Sequence, residues 1–539
     1  MESAGPIITA EPEEAPRLFQ EGVVAHKGLR DNAIGLFTSI GIGIASTAPA
    51  YSLAATLGFV VIIGRFATPL IVILAFIPMF FVAWATKKMN KIDPDCGTSF
   101  AWAARALGPR TGWFAGGWGT IASDFLAMAS YAQIAGQYVF LLVGATSIGT
   151  DPTSPWVLLL GIGWIVVLTY LCWRGIEISA RLQVTLVVIE VVLLLTMSLV
   201  ALVKVASGAA PPGHANPSWS WLDPGKIPSF SSFMAAMLLM VFIYWGWDTT
   251  TSVNEETDEP SRIPGTAGVI STFLLLATYF LVVLSVQSFA GLGSKGIGLG
   301  NPANQNDVLS PLGGAIFGHS AIGQVLARLL IFMVLTSAAA TTQTTILPNA
   351  RTMLSMAYHK ALSPAFGRTH PRYLTPTFST ISFGVASVIY YIALNFISGG
   401  NVIGDAVTAT TFFAALYLAI TALACAWHYR AQIFASVRTS VSNVIVPALG
   451  AFSLFAMIAW SFKTYWSPSQ SYVDVHLPLI GIHVGGVLLL VVLTTIIGLA
   501  WMAYEEIRRP RFFRGGMSRY ALTDDDELVE VSPLPPGPT

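Results

Sequence analysis

Charge is scarce in this chain. Of 539 residues, 28 are Lys or Arg and 28 are Asp or Glu, 10% in all, where a soluble globular chain carries about 25%. The two signs cancel, so no overall positive field points to nucleic acid. Cysteine is scarcer still, with Cys96, Cys172 and Cys425 alone. No Cys/His spacing matches a metal site, and no cofactor is expected. With no phosphate-cradling loop and no nucleophile–base pair, the chain does not read as an enzyme. The first 30 residues are polar, include Glu11, Glu13 and Glu14, and lack the apolar core of a cleavable signal.

What fills the chain instead is hydrocarbon: 54% of residues are hydrophobic. A membrane-crossing helix needs about 20 mainly apolar residues. Runs of that kind lie at 34–63, 67–86, 112–144, 155–172, 182–206, 230–256, 264–290, 321–350, 376–397, 404–428, 443–462 and 479–504. They predict an all-α protein of about twelve transmembrane helices; they are too long and continuous for barrel strands. If both termini face the cytoplasm, 22 of the 28 basic residues fall on the inner side, as the positive-inside rule expects. The three cysteines also fall near that face, where no disulfide is expected.

The expected organisation follows the runs. Residues 1–33 form a cytoplasmic lead-in and 34–206 a first set of five helices. The Pro- and Gly-rich stretch 207–229 is an external linker. Residues 230–428 form a second set of five, 429–504 two peripheral helices, and 505–539 a disordered cytoplasmic tail that starts basic and turns acidic.

The first run of each set is interrupted at mid-course. The first reads SIGIGIASTAPAYSLAATLG from Ser39, with Pro49 near its middle; the sixth reads FIYWGWDTTT from Phe242, with Gly246 near its middle. Proline lacks an amide proton and clashes with the preceding turn; glycine weakens a helix. Interruptions at corresponding places in two halves point to the binding site of a transporter. The sixth run is expected to split into halves at about 230–242 and 247–256. Asp248 is placed to N-cap the inner half. Glu255 and Glu256 stand at the inner exit as an inner gate or as partners of a basic residue.

Three segments then carry a family resemblance. GWDTTTSVNEETDEPSRIPGTAG, PDCGTSFAWAARALGPRTGWFAGGW from Pro94 and PNARTMLSMAYHKALSPAFGRTHPRYLTPTFS from Pro348 together resemble the signatures of the amino acid–polyamine–organocation permeases. The resemblance covers roughly residues 30–505. It implies a leucine-transporter-like fold: an inverted repeat of five and five helices, with two more at the periphery. It also implies import of amino acids, polyamines or related amines by proton symport or by exchange, in the cell membrane; the oligomeric state stays open. Ile42 and Trp245 depart from the glycines many relatives carry there.

Site residues follow from that resemblance. Backbone amides of Ser46, Thr47 and Ala48, with Gly43 nearby, would face a substrate carboxylate. Carbonyls near Phe242, Ile243, Tyr244 and Gly246 would face its ammonium, and Phe242 matches an aromatic gate. Glu190 lies deep in the fifth run, where an unpaired charge is costly and an ionisable residue is a functional candidate. Many relatives hold there a lysine whose ammonium replaces a sodium ion. A carboxyl at that place would carry the coupling proton, or bind sodium together with Ser337 and Thr341. Asp124, a second acid within a run, would pair with a cationic substrate amine or serve as a polar contact between helices.

Overall fold

A single residue, Ala48, divides the first hydrophobic run in the computed structural model. The structure describes residues 27–515 apart from 31, 306, 319, 399–401, 472 and 478–481, together with 517, 519–522 and 528–531. Most of the lead-in and much of the tail therefore lie outside the described residues. Helix α1 (Leu36–Thr47) ends at Ala48, whose φ of 47° is left-handed, and α2 (Pro49–Gly64) begins directly after it. Pro49 suits the first helical position, where no amide donor is required.

After a turn at Arg65–Ala67 come α3 (Thr68–Ile92), α4 (Ser99–Leu107) and the short α5 (Pro109–Thr111). A π-helical segment, Gly112–Trp118, runs into α6 (Gly119–Leu142). The short α7 (Thr146–Gly149), then α8 (Pro155–Arg174) and α9 (Ile176–Ala206), follow.

The sixth run is broken more widely than the first. Helix α10 (Phe230–Tyr244) stops at Trp245, and only the one-turn α11 (Thr249–Ser252) and a 3-10 turn at Asn254–Glu256 follow. Next come α12 (Ile263–Ala290), α13 (Leu309–Phe317), α14 (Ala321–Tyr358), α15 (Thr377–Ser398) and α16 (Val402–His428). The chain ends with α17 (Val437–Ser440), a π-helical turn at Val441–Ile445, α18 (Val446–Tyr465), α19 (Gly486–Arg508) and α20 (Pro510–Gly515). Strand β1 (Asp474–Leu477) pairs antiparallel with β2 (Ile482–Gly485), and β3 (Arg519–Leu522) with β4 (Leu528–Val531).

Ten helical stretches among the described residues are long and apolar enough to cross a membrane; one of them, Leu36–Ile92, is 57 residues long, and α10 falls just short. Burial sorts them. In α16, 89% of the apolar window is buried, against 28% in α8 and in α19. A helix apolar all round belongs at the centre of a bundle or facing lipid, so α16 is a central wall and α8 and α19 are peripheral. Helix α6 packs against both α14 and α16, and α1 against α9, α12 and α14. The broken runs pack against these helices: α1 against α9 and α14, α10 against α16, and α11 against α14.

Candidate substrate-binding site

The two breaks meet. Gly246 has φ 119°, and a Cβ built on it would lie 2.6 Å from the Ser46 carbonyl oxygen. Only glycine permits both the conformation and the approach. The Ser46 and Thr249 hydroxyls are 2.6 Å apart, which ties the end of α1 to the start of α11.

The Ala48 amide at the first break is already taken. The Ala48 N–H donates back to the carbonyls of Ile44 (3.1 Å) and Ala45 (3.2 Å). Of the three amides expected to face a carboxylate, that of Ala48 is therefore engaged within α1. Ala48 closes α1, so the open helix start lies further on, at Ala50 and Tyr51. The Ala50 N–H donates to Glu190 Oε1 at 2.6 Å, and the Tyr51 N–H to the Ser337 hydroxyl at 3.3 Å. Ser337 in turn donates to Glu190 Oε1 at 2.8 Å, and Thr341 donates to the Ser46 carbonyl at 3.0 Å. Glu190 thus places a carboxyl at the N-terminus of α2, where the helix dipole favours negative charge. An ammonium could only donate here; this carboxyl accepts.

Beside the breaks, Ser46, Thr120, Asp124, Tyr131, Gly246, Asp248, Thr249, Thr345 and Tyr417 line a pocket. The space left inside is about 10 Å³, no more than one water-sized sphere needs. Asp124 is buried and Asp248 half-buried, and both are hydrogen-bonded. Asn349 Nδ2 donates to Asp124 Oδ2 at 2.7 Å, and the Tyr417 hydroxyl to Asp248 Oδ2 at 2.8 Å. Trp245 Nε1 donates to the same hydroxyl at 2.5 Å. No Lys, Arg or His lines the pocket. Asp248 occupies the N-cap position of α11 but makes no side-chain cap bond; its carboxyl turns to Tyr417 instead, which corrects the expected capping role.

Other expected site residues lie outside the pocket lining. Thr47 bonds the Gly43 carbonyl at 2.9 Å. Gly43 itself faces Ser271 and Thr250. The Phe242 carbonyl accepts the Trp245 N–H at 3.2 Å, and the Phe242 ring packs edge-on to Tyr51 with centroids 6.3 Å apart. Ile243 is fully buried, and the Tyr244 hydroxyl turns away to the Val72 carbonyl at 3.0 Å. Sequence reasoning missed Tyr417 and Tyr131, which lie in apolar runs without a motif, and Asn349, which lies inside the quoted PNAR stretch.

The end of the bundle that carries residue 27 is closed by buried charge. Lys27 Nζ lies 2.5 Å from Glu255 Oε1 and 3.1 Å from Asp95 Oδ2. Cys96 N–H also donates to Glu255 Oε1, at 2.8 Å. His359 Nε2 and the Ser355 hydroxyl hold the two Asp95 oxygens at 2.8 and 2.6 Å. Burial alone would raise the Asp95 pKa, but Lys27 and His359 outweigh it and hold the carboxyl well below its usual range. Burial lowers the Lys27 pKa, and its acidic neighbours more than reverse that. Ligand atoms of Asp95, Cys96 and Glu255 lie within 4.8 Å of one another, as in a metal cluster, yet the cation standing among them is the Lys27 ammonium. Glu256 pairs with Arg351 through two bonds, 2.5 Å to Nε and 2.8 Å to Nη2. The Glu256 carbonyl takes the Ala33 and Ile34 amides, at 2.8 and 3.1 Å. The two glutamates therefore bind the lead-in and α14 to the broken sixth run.

Comparison with known proteins bears on the fold and the family. MhsT in complex with L-phenylalanine superimposes with a TM-score of 0.52 over 82% of this chain and 100% of that one, at 15% identity. That likeness gives the leucine-transporter-like fold. The branched-chain amino acid permease BcaP of Bacillus subtilis is 24% identical over 227 residues, 42% of this chain; the chain spans only 43% of that relative's length. The D-serine/D-alanine/glycine transporter of Escherichia coli K12 is 24% identical over 66% of this chain and 71% of its own. The low-affinity putrescine importer PlaP of the same strain is 23% identical over 60% and 66%. The amino acid permease family model matches residues 34–501. With its motifs, its two broken helices and this match over most of its length, the chain belongs to the amino acid permease family.

Proposed function

We propose that this chain is a secondary transporter that imports amino acids through alternating access. The observation that carries the reading is the crossing of the two broken runs beside a buried pocket with two carboxyls and no cation. Such a pocket suits the ammonium group of a substrate, because a buried charge needs a partner. Glu190 is the coupling group in this reading: it takes up and releases a proton as α1 and α2 move against α9 and α14. Sodium held by Glu190, Ser337 and Thr341 is the alternative coupling. The twelve crossings, the inverted repeat, the cytoplasmic termini and the cell membrane belong to the same proposal; the distribution of basic residues supports an even number of crossings and the cytoplasmic termini.

A second reading, import of a polyamine or other organic amine, draws on the pairing of Asp124 with Asp248 in one pocket. A diamine offers two cations and no carboxylate. The likeness to a putrescine importer supports it. Counterflow in proteoliposomes tests both. A labelled amino acid exchanged by unlabelled amino acids but not by putrescine supports the first reading. Exchange by polyamines alone overturns it. Asp124→Asn should lower amine exchange by about tenfold, the loss of one buried charge-assisted contact, and neutral amino acid exchange by less.

A further inference from the structure

Two shallow apolar hollows run along the outside of α15, of about 500 and 430 Å³. They share Ile381, Val385 and Ile389, so these three side chains form a ridge between them. The second hollow lies against α8, whose Val166 and Tyr170 are exposed. Gly384 lets the two helices close at its floor, since a Cβ there would lie 2.4 Å from the Thr169 hydroxyl.

One end of both hollows is basic. Arg368 lines the first. Beside the second, the Arg174 guanidinium lies 5.1 Å from the Tyr373 ring centroid and donates to its hydroxyl at 3.0 Å. Arg372 covers the same ring at 5.8 Å. All three arginines are exposed, and no described carboxylate pairs with any of them. Trp173, whose Nε1 donates to Thr377 at 3.2 Å, stands at the join between the apolar and basic parts. An indole at such a boundary is a usual membrane-interface anchor.

We propose that this surface binds an anionic phospholipid. One acyl chain lies in each hollow, astride the Ile381–Val385–Ile389 ridge, and the phosphate is held by Arg368, Arg372 and Arg174. Annular lipid explains apolar exposure anywhere on a membrane helix. It does not explain two hollows that end at three arginines with no described carboxylate partner. Guanidinium groups bind phosphate through paired hydrogen bonds, and basic pockets between membrane helices select anionic headgroups.

Native mass spectrometry on full-length protein tests this. The protein is reconstituted in vesicles of equal parts phosphatidylglycerol and phosphatidylcholine, then released in mild detergent. Wild type should retain phosphatidylglycerol in about fivefold excess or more, as expected for several arginine contacts. Arg368→Ala with Arg372→Ala should abolish the excess, and Arg430→Ala should not. Val385→Trp, which fills the ridge and hollows without touching the arginines, should lower total retained lipid. Retention of the two lipids in proportion to the mixture, persistence of the preference in the double variant, or a second copy of this chain covering the surface in place of lipid would each overturn the proposal.

Discussion

Ala50 and Glu190 lie 140 residues apart in sequence and meet at 2.6 Å, backbone amide to carboxyl oxygen. The contact joins the start of α2 to the middle of α9. Any change in the charge of Glu190 is therefore felt where the first helix is broken. Glu190→Gln keeps an acceptor for the amide and removes the titratable proton. Counterflow exchange should survive within about threefold. Uphill accumulation driven by an imposed pH gradient should fall by about tenfold or more, as expected when an intramembrane coupling acid is lost. Accumulation equal to wild type would remove Glu190 from the coupling role. Glu190→Ala also leaves the buried amide without its acceptor, and should cost about 1–3 kcal/mol in thermal unfolding.

Lys27 is the cation shared by Asp95 and Glu255. Without it two carboxylates remain buried with too little positive charge, an expensive state that opening relieves. In a background carrying Cys172→Ser and Cys425→Ser, Lys27→Ala should raise maleimide labelling of Cys96 by about tenfold or more, a shift expected from an uncompensated buried charge. Cys96 is fully buried in the closed arrangement, so its labelling reports opening at this end. Unchanged labelling would mean that Lys27 does not hold the closure.

The same closure should respond to pH on both sides. Burial pushes the His359 imidazole below its ordinary range, against the pull of Asp95. The open state then binds the extra proton more readily, so acid favours opening below about pH 6.5, the ordinary histidine value. The raised Lys27 ammonium works in the other direction: its contribution is present below about pH 10.4 and is lost as pH rises further. Cys96 labelling, normalised to the rate in unfolded protein, should be lowest between these limits and rise on acidification. His359→Gln should flatten the acid limb. An acid limb that persists in that variant would assign it to another group.

Arg351 and Glu256 are each 1% exposed and bonded through two contacts. Removing one partner leaves the other charged and buried, a loss of about 3–5 kcal/mol. Arg351→Met and Glu256→Leu should each lower the unfolding temperature sharply. The double variant should lose clearly less than the two singles together, since apolar replacement of both partners is often tolerated. Additive losses would mean that the pair acts through other contacts.

What was legible in the sequence was what one residue can dictate locally. Pro49 lacks a donor and Gly246 reaches a positive φ, and both breaks fall beside those positions. Glu190 was visible because a carboxyl inside an apolar run stands out whatever it touches. Its partner was not: the freed amides were placed at Ser46–Ala48, because the sequence does not reveal that Ala48 turns left-handed and passes the open helix end on to Ala50. Lys27 gave no signal, since one lysine in a polar segment resembles any solvated lysine. Tyr417 lies in a run whose apolar pattern shows that α16 is buried without saying which side faces the pocket.

The pocket between Asp124 and Asp248 has a thermodynamic consequence. A space of about 10 Å³ admits no amino acid, so this conformation is closed to substrate and binding requires it to open. The dissociation constant measured for such a protein is the intrinsic one divided by the fraction of molecules standing open. Affinity is thus set partly by residues that never touch the substrate: a substitution that loosens the Lys27 end will read as tighter binding, with the pocket itself unchanged.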